Sequence, residues 1–258
     1  MGIMESVKKG FGVAGQSLNL VFVLFGFGLI WNIVNLMLTP RLAVSPDTPP
    51  SPGASAAMIA VGILFILVSF FVQAGSLGYI GEKIKTGKAE LSAFFAAGGK
   101  FYVKMLLLGL FVGLVVGVLL LAIGLLVALL APTVQILAVI LGLLIGAAII
   151  YFVLMVFLAP YAIVVDNEKV MAAVKKSMAI VKSHLLTVIG IALMLILIGF
   201  LIGVLLGVIL AILSAAVQGT AAQVVFAVLS SFVNAYLGVL VSAAFMNLYL
   251  GANTSGAK

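Results

Sequence analysis

The chain has no cysteine, one histidine, one tryptophan and six acidic residues against thirteen basic ones in 258 residues. Without cysteine there is no disulfide, no thiol nucleophile and no palmitoylation site. A zinc site needs three or four ligands, and the lone His184 has Asp166 and Glu168 only well upstream. A general base needs an oriented partner within hydrogen-bond reach, and nothing in the sequence brings Asp166 to His184 across the helix between them. His184 therefore reads as a boundary residue. No cofactor or metal site is expected, and the chain reads as a protein that is not an enzyme.

Charge is the largest deficit. Charged residues make up 7% of the chain and hydrophobic ones 66%, with a mean hydropathy of +1.46. Those values lie far outside the soluble range, so the bilayer has to act as solvent. Met105 to Val165 carries no charge at all, and from Ser183 to Ala257 the one acidic or basic side chain is His184. Each run is long enough to cross about 30 Å of hydrocarbon twice, at about 20 residues per span. Gly10–Pro40 and Thr48–Gly81 hold one span each. The reading is all-α: a polytopic membrane helical bundle and a single integral membrane domain over 1–258. Its six transmembrane helices fall at roughly 16–38, 55–80, 105–130, 134–160, 185–213 and 221–249, joined as three hairpins. Pro132 and Gln218-Gly219-Thr220 mark turns, and Pro160-Tyr161 ends the fourth span. The first apolar run exceeds the usual 7–15 residues of a signal peptide, so it is expected to be a retained span. Met1–Ser6 fits a myristoylation pattern formally, with chance as the better explanation.

The net charge of +7 invites a nucleic-acid reading that its placement refutes. With six spans, twelve lysines fall on one side and Arg41 alone on the other. By the positive-inside rule both termini and the loops 81–104 and 161–184 are cytoplasmic. Four of the six tyrosines, Tyr79, Tyr102, Tyr161 and Tyr249, fall at that same boundary. The expected location is the cytoplasmic (inner) membrane. The outer loop at 39–54 and its edges hold five of the seven prolines; it reads as a connector, with ordering by a bound partner as the alternative.

Charge collects in Pro160–His184, PYAIVVDNEKVMAAVKKSMAIVKSH. From Glu168 onward Val170, Val174, Met178 and Val181 share a helical face, with Met171 beside them. Glu168, Lys175 and Lys182 share another, flanked by Lys169, Lys176 and Ser183. Asp166 or Asn167 is placed to cap the helix, with Glu168 in its first turn. An amphipathic helix on the inner surface follows, with lysines aimed at anionic headgroups. Lys169, Lys175, Lys176, Lys182, Lys100 and Lys104 are the candidate headgroup contacts; a solvated helix that merely orients the fifth span is the plainer reading. Segments beginning at Val7, Phe94 and Val174 each put such a lead-in before an odd-numbered span, at nearly equal intervals along the chain. That is the pattern of a parallel threefold repeat, as opposed to the inverted repeats of many transporters. Its rival is convergence, since amphiphilic lead-ins resemble one another.

The spans hold no Asp, Glu, Lys or Arg. This argues against ion-coupled transport and intramembrane hydrolysis, and leaves a passive pore or a lipid-handling groove open. Asn32, Asn35, Gln73 and Asn234 form a candidate polar solute site, against the plainer reading of interhelical hydrogen bonds. Gly109, Gly113 and Gly117, Gly142 and Gly146, and Gly199, Gly203 and Gly207 recur every four residues and are the expected helix-packing ridges.

PYAIVVDNEKVMAAVKKSMAIVKSHLL, with LSAFFAAGGKFYVKMLL upstream, resembles a broad family of prokaryotic six-span proteins, similar to the membrane domain of some glycerophosphoryl diester phosphodiesterases. The resemblance covers most of the chain in layout and those two stretches in detail. It implies a fold and a membrane; the phosphodiesterase's metal-binding acids have no counterpart here, so no activity is transferred. The functional expectation is a lipid-interacting or scaffolding module with membrane lipids, a protein partner or a second copy as its partners, and no nucleic acid. The alternative is an uncoupled permease or channel for a small or amphipathic solute.

Overall fold

A computed structural model describes residues 2–42, 52–130, 134–216 and 220–255. The expected turns at Pro132 and Gln218-Gly219, and most of the proline-rich outer loop, lie outside the described residues. In chain order the helices are α1 (Ile3–Gly15), α2 (Leu18–Leu42), α3 (Pro52–Thr86), α4 (Leu91–Leu130), α5 (Gln135–Val156), α6 (Ala159–Asp166), α7 (Val170–Ser183), α8 (Leu185–Ala216) and α9 (Thr220–Ser255). Among the described residues, six stretches are long and apolar enough to cross a membrane, at 18–37, 56–86, 91–129, 139–166, 185–212 and 223–253. The chain is a multi-pass membrane protein.

Several boundaries move from their expected places, each for a local reason. The loop read as 39–54 is helical at both its edges, because α2 runs through Pro40 to Leu42 and α3 starts at Pro52. Proline suits that first helical position, where its missing N–H is no loss. Between α3 and α4 the turn contracts around Gly87, whose φ of +77° glycine adopts without steric cost. The amphiphilic segment from Phe94 is not a separate surface helix: α4 runs unbroken from Leu91 into the span. Pro160 does not close a span either; it sits in the first turn of α6.

The expected cap of α7 is also replaced. Asn167 takes a left-handed conformation at φ 57°, ψ 27° and terminates α6, with its N–H donated to the Ala162 carbonyl. Asparagine tolerates that geometry better than most residues. The N-cap of α7 is then Lys169, without a side-chain cap bond, and Glu168 stands outside the helix.

Contacts divide the chain into two units, Met1–Gly99 with Leu186–Lys258, and Lys100–Leu185. In the first, α1 and α2 both pack on α9. A Cβ on Gly10 would lie 3.1 Å from the Ala244 Cβ and 3.1 Å from the Leu240 carbonyl, so only a small residue allows that approach. Trp31 and Phe27 stack on Phe65 at 3.9 and 4.5 Å, joining α2 to α3. The start of α4 lies on α3: Gly75 faces Phe94 and Gly78 faces Ala97 with no room for side chains, and Gly98 meets the Phe71 ring. In the second unit α7 packs on α5 and α6, while Phe111 of α4 approaches Phe152 of α5 at 6.5 Å.

Buried positions gather at the lysine-bearing ends of the helices: 74–80 in α3, 94–108 in α4, 155–163 across α5 and α6, and 239–249 in α9. Towards the opposite ends, Leu114, Leu129, Ile136, Leu143, Leu205 and Ile212 are exposed. Lipid tails are as apolar as leucine, so such exposed side chains carry no penalty in hydrocarbon.

Candidate functional site

Six lysines were expected at headgroups, and the structure gives them different tasks. Lys104 donates from Nζ to the Asn167 carbonyl and to its Oδ1, both at 2.8 Å, tying α4 to the left-handed turn between α6 and α7. Lys176 pairs with Asp166 at 2.8 Å across the same turn. Lys100 is exposed and lies over the Phe101 ring at 5.1 Å. Lys169, Lys175 and Lys182 are exposed and meet no acidic partner among the described residues.

The buried face of α7 is rotated from the expected one. It consists of Ala173, Val174, Ser177, Ile180 and Val181, while Val170 and Met178 are half-buried. Met171, expected beside that face, is 54% exposed and points outward with Lys175 and Lys182. A hydroxyl at the centre of the buried face explains the rotation, because it has bonds to make. Ser177 Oγ accepts the Leu158 N–H at 3.0 Å and donates to the Met155 carbonyl at 2.7 Å. These are backbone groups at the break between α5 and α6. Periodicity misses Ser177, because serine scores as polar and its partners lie several helical turns upstream.

α7 ends at Ser183 and α8 begins at Leu185, so His184 alone joins the basic helix to a span. Its Nδ1 lies 2.8 Å from Ser183 Oγ and 3.3 Å from the Ile180 carbonyl, consistent with a boundary position. Among the described residues no three His, Cys, Asp or Glu side chains gather. α1 is attached by a two-residue link, Gln16-Ser17, before α2. Glu5 pairs with Lys9 at 2.8 Å, and the hydrogen bond and charge of Lys9 hold its carboxyl below the usual range. Met4, one turn before the exposed Lys8, is itself 67% exposed.

The candidate polar residues are placed separately. Asn32 donates to Ser231 Oγ at 2.8 Å, joining α2 to α9 through a serine the sequence did not mark as its partner. Asn35 turns back to the Trp31 carbonyl at 2.9 Å, and Gln73 and Asn234 are exposed. Of the expected glycine ridges, Gly199 meets Leu237 at 4.0 Å and Gly109 is half-buried. Gly113, Gly117, Gly142, Gly146, Gly203 and Gly207 have no described atom within 4 Å of where a Cβ would stand. The close approaches belong to Gly10, Gly75, Gly78, Gly98 and Gly190, the last against Ile3.

No curated protein and no solved structure matches the chain. Residues 1–252 match a family. The chain therefore belongs to the family described as Domain of unknown function (DUF7847).

Proposed function

We propose that the protein is a non-enzymatic module of the cytoplasmic membrane that engages anionic lipid through its basic lead-in helices. The carrying observation is the outward face of α7, where Met171, Lys175 and Lys182 are exposed together while Asp166 is engaged by Lys176. A one-residue link to α8 keeps that face within headgroup reach. An exposed methionine among lysines suits the boundary between headgroups and acyl chains, and each lysine there contributes about 1 kcal/mol.

On this reading the spans form three hairpins in a parallel repeat, with both termini on the cytoplasmic side. The lead-ins support it by their register. α1 and α2 start at Ile3 and Leu18, α7 and α8 at Val170 and Leu185, so one offset relates both pairs. At matching places Val7, Phe94 and Val174 are buried, as are Gly10, Ala97 and Ser177, and Ala14, Phe101 and Val181. Met4 and Lys8 match Met171 and Lys175, all exposed. The likeness in layout to the membrane domain of glycerophosphoryl diester phosphodiesterases agrees with a membrane role and brings no catalysis.

The test is native mass spectrometry of the whole protein released from mixed phosphatidylglycerol and phosphatidylcholine nanodiscs. Wild type retains phosphatidylglycerol preferentially, and Lys169→Gln/Lys175→Gln/Lys182→Gln loses that preference. Equal retention of both lipids by wild type overturns the reading.

A further inference from the structure

We infer that Ser177 sets the break in the fourth span between α5 and α6, so that α7 acts as a strap whose seating fixes the geometry of that span. In an uninterrupted helix the Leu158 N–H would bond to Leu154 and the Met155 carbonyl would receive the N–H of Ala159. Here the ladder tightens at Phe157, whose N–H reaches the Leu154 carbonyl at 3.3 Å, and resumes with Tyr161 and Ala162 both on the Leu158 carbonyl. The two groups freed between them are the ones Ser177 Oγ takes. Buried backbone groups at membrane depth must find partners, and a side chain inserted into the ladder is a recognised cause of a kink.

The other lead-ins provide the comparison. At the place of Ser177, α1 has Gly10 against α9, and the start of α4 has Ala97 against α3. Neither side chain can hydrogen-bond, and α9 and α3 run unbroken past the contact. The span breaks where the contact residue carries a hydroxyl. One further tie seats α7 on the same piece, Lys176 to Asp166 at the end of α6, and Lys104 of α4 holds Asn167 in the turn between α6 and α7. Lifting α7 would strip the break of its hydroxyl, and closing the break would unseat α7. Each therefore reports on the other.

Pro160 is the competing cause, since it lacks an N–H for the Val156 carbonyl and crowds the preceding turn. The two causes separate in one experiment. The chain has no cysteine, so Leu144→Cys on exposed α5 and Val165→Cys on half-exposed α6 give a single spin-label pair in the whole protein in nanodiscs. Ser177→Ala shifts or broadens the distance distribution, and Pro160→Ala leaves it in place. A Ser177→Ala distribution that superimposes on wild type, or a shift produced by Pro160→Ala, overturns the inference. Should Ser177→Ala fail to fold, hydrogen exchange on wild type decides. The Leu158 amide then exchanges at least about tenfold more slowly than a free amide; exchange at the free rate overturns it.

Discussion

Gly78 and Gly113 look alike in sequence and stand in different surroundings. Gly78 lies against Ala97 with no space for a Cβ, whereas Gly113 meets nothing within 4 Å. Gly78→Leu should destabilise the protein by roughly 1–3 kcal/mol through overpacking, and Gly113→Leu should stay within about 0.5 kcal/mol. Reversible unfolding in mixed micelles measures both. The spacing of glycines shows where helices can approach, but lipid is as good an apolar neighbour as another helix. The partner of Gly78 was therefore not legible, and neither was that of Gly10. Asn32 is a polar case. Its bond to Ser231 should contribute about 0.6 kcal/mol, so Asn32→Ala and Ser231→Ala should each cost that much and the double variant no more. Additive losses in that cycle would mean the pair is not coupled.

Among the elements, α1 and α7 were visible in sequence because apolar residues recurring at helical spacing mark an amphipathic helix. Whether each breaks before its span was not visible. Gln16-Ser17 and His184 separate α1 from α2 and α7 from α8, whereas α4 passes Lys104 without a break. The break at Phe157-Leu158 was equally hidden, since the backbone groups it frees are met by Ser177, far along the chain. α1 allows a test of pH dependence. Glu5 has its folded pKa lowered by the hydrogen bond and charge of Lys9. Its contribution is therefore present above the ordinary carboxylate range and is lost as pH falls through the lower folded value. Acidification should loosen α1, read as faster exchange of its amides at constant intrinsic rate, and Lys9→Gln should remove the acid-dependent part.

For the whole molecule, six spans could be read from uncharged runs of sufficient length, and among the described residues six apolar helices of membrane length stand in their places. Which turns of each helix are buried was not legible, because hydropathy is uniformly high along the spans and leaves no face distinguished. The proposed orientation has a direct check in spheroplasts, with single cysteines and a membrane-impermeant maleimide. Asp47→Cys should label from outside and Lys175→Cys only after permeabilisation; the opposite pattern would invert the topology. The central claim, that the outward face of α7 lies in an anionic headgroup layer, depends most directly on where Met171 sits. In a Trp31→Phe background, Met171→Trp in the whole protein gives a single fluorescent reporter, read in liposomes of phosphatidylglycerol brominated near the glycerol backbone. Immersion in the headgroup layer predicts blue-shifted emission quenched by those lipids; emission as in water, unchanged by bromination, would contradict it.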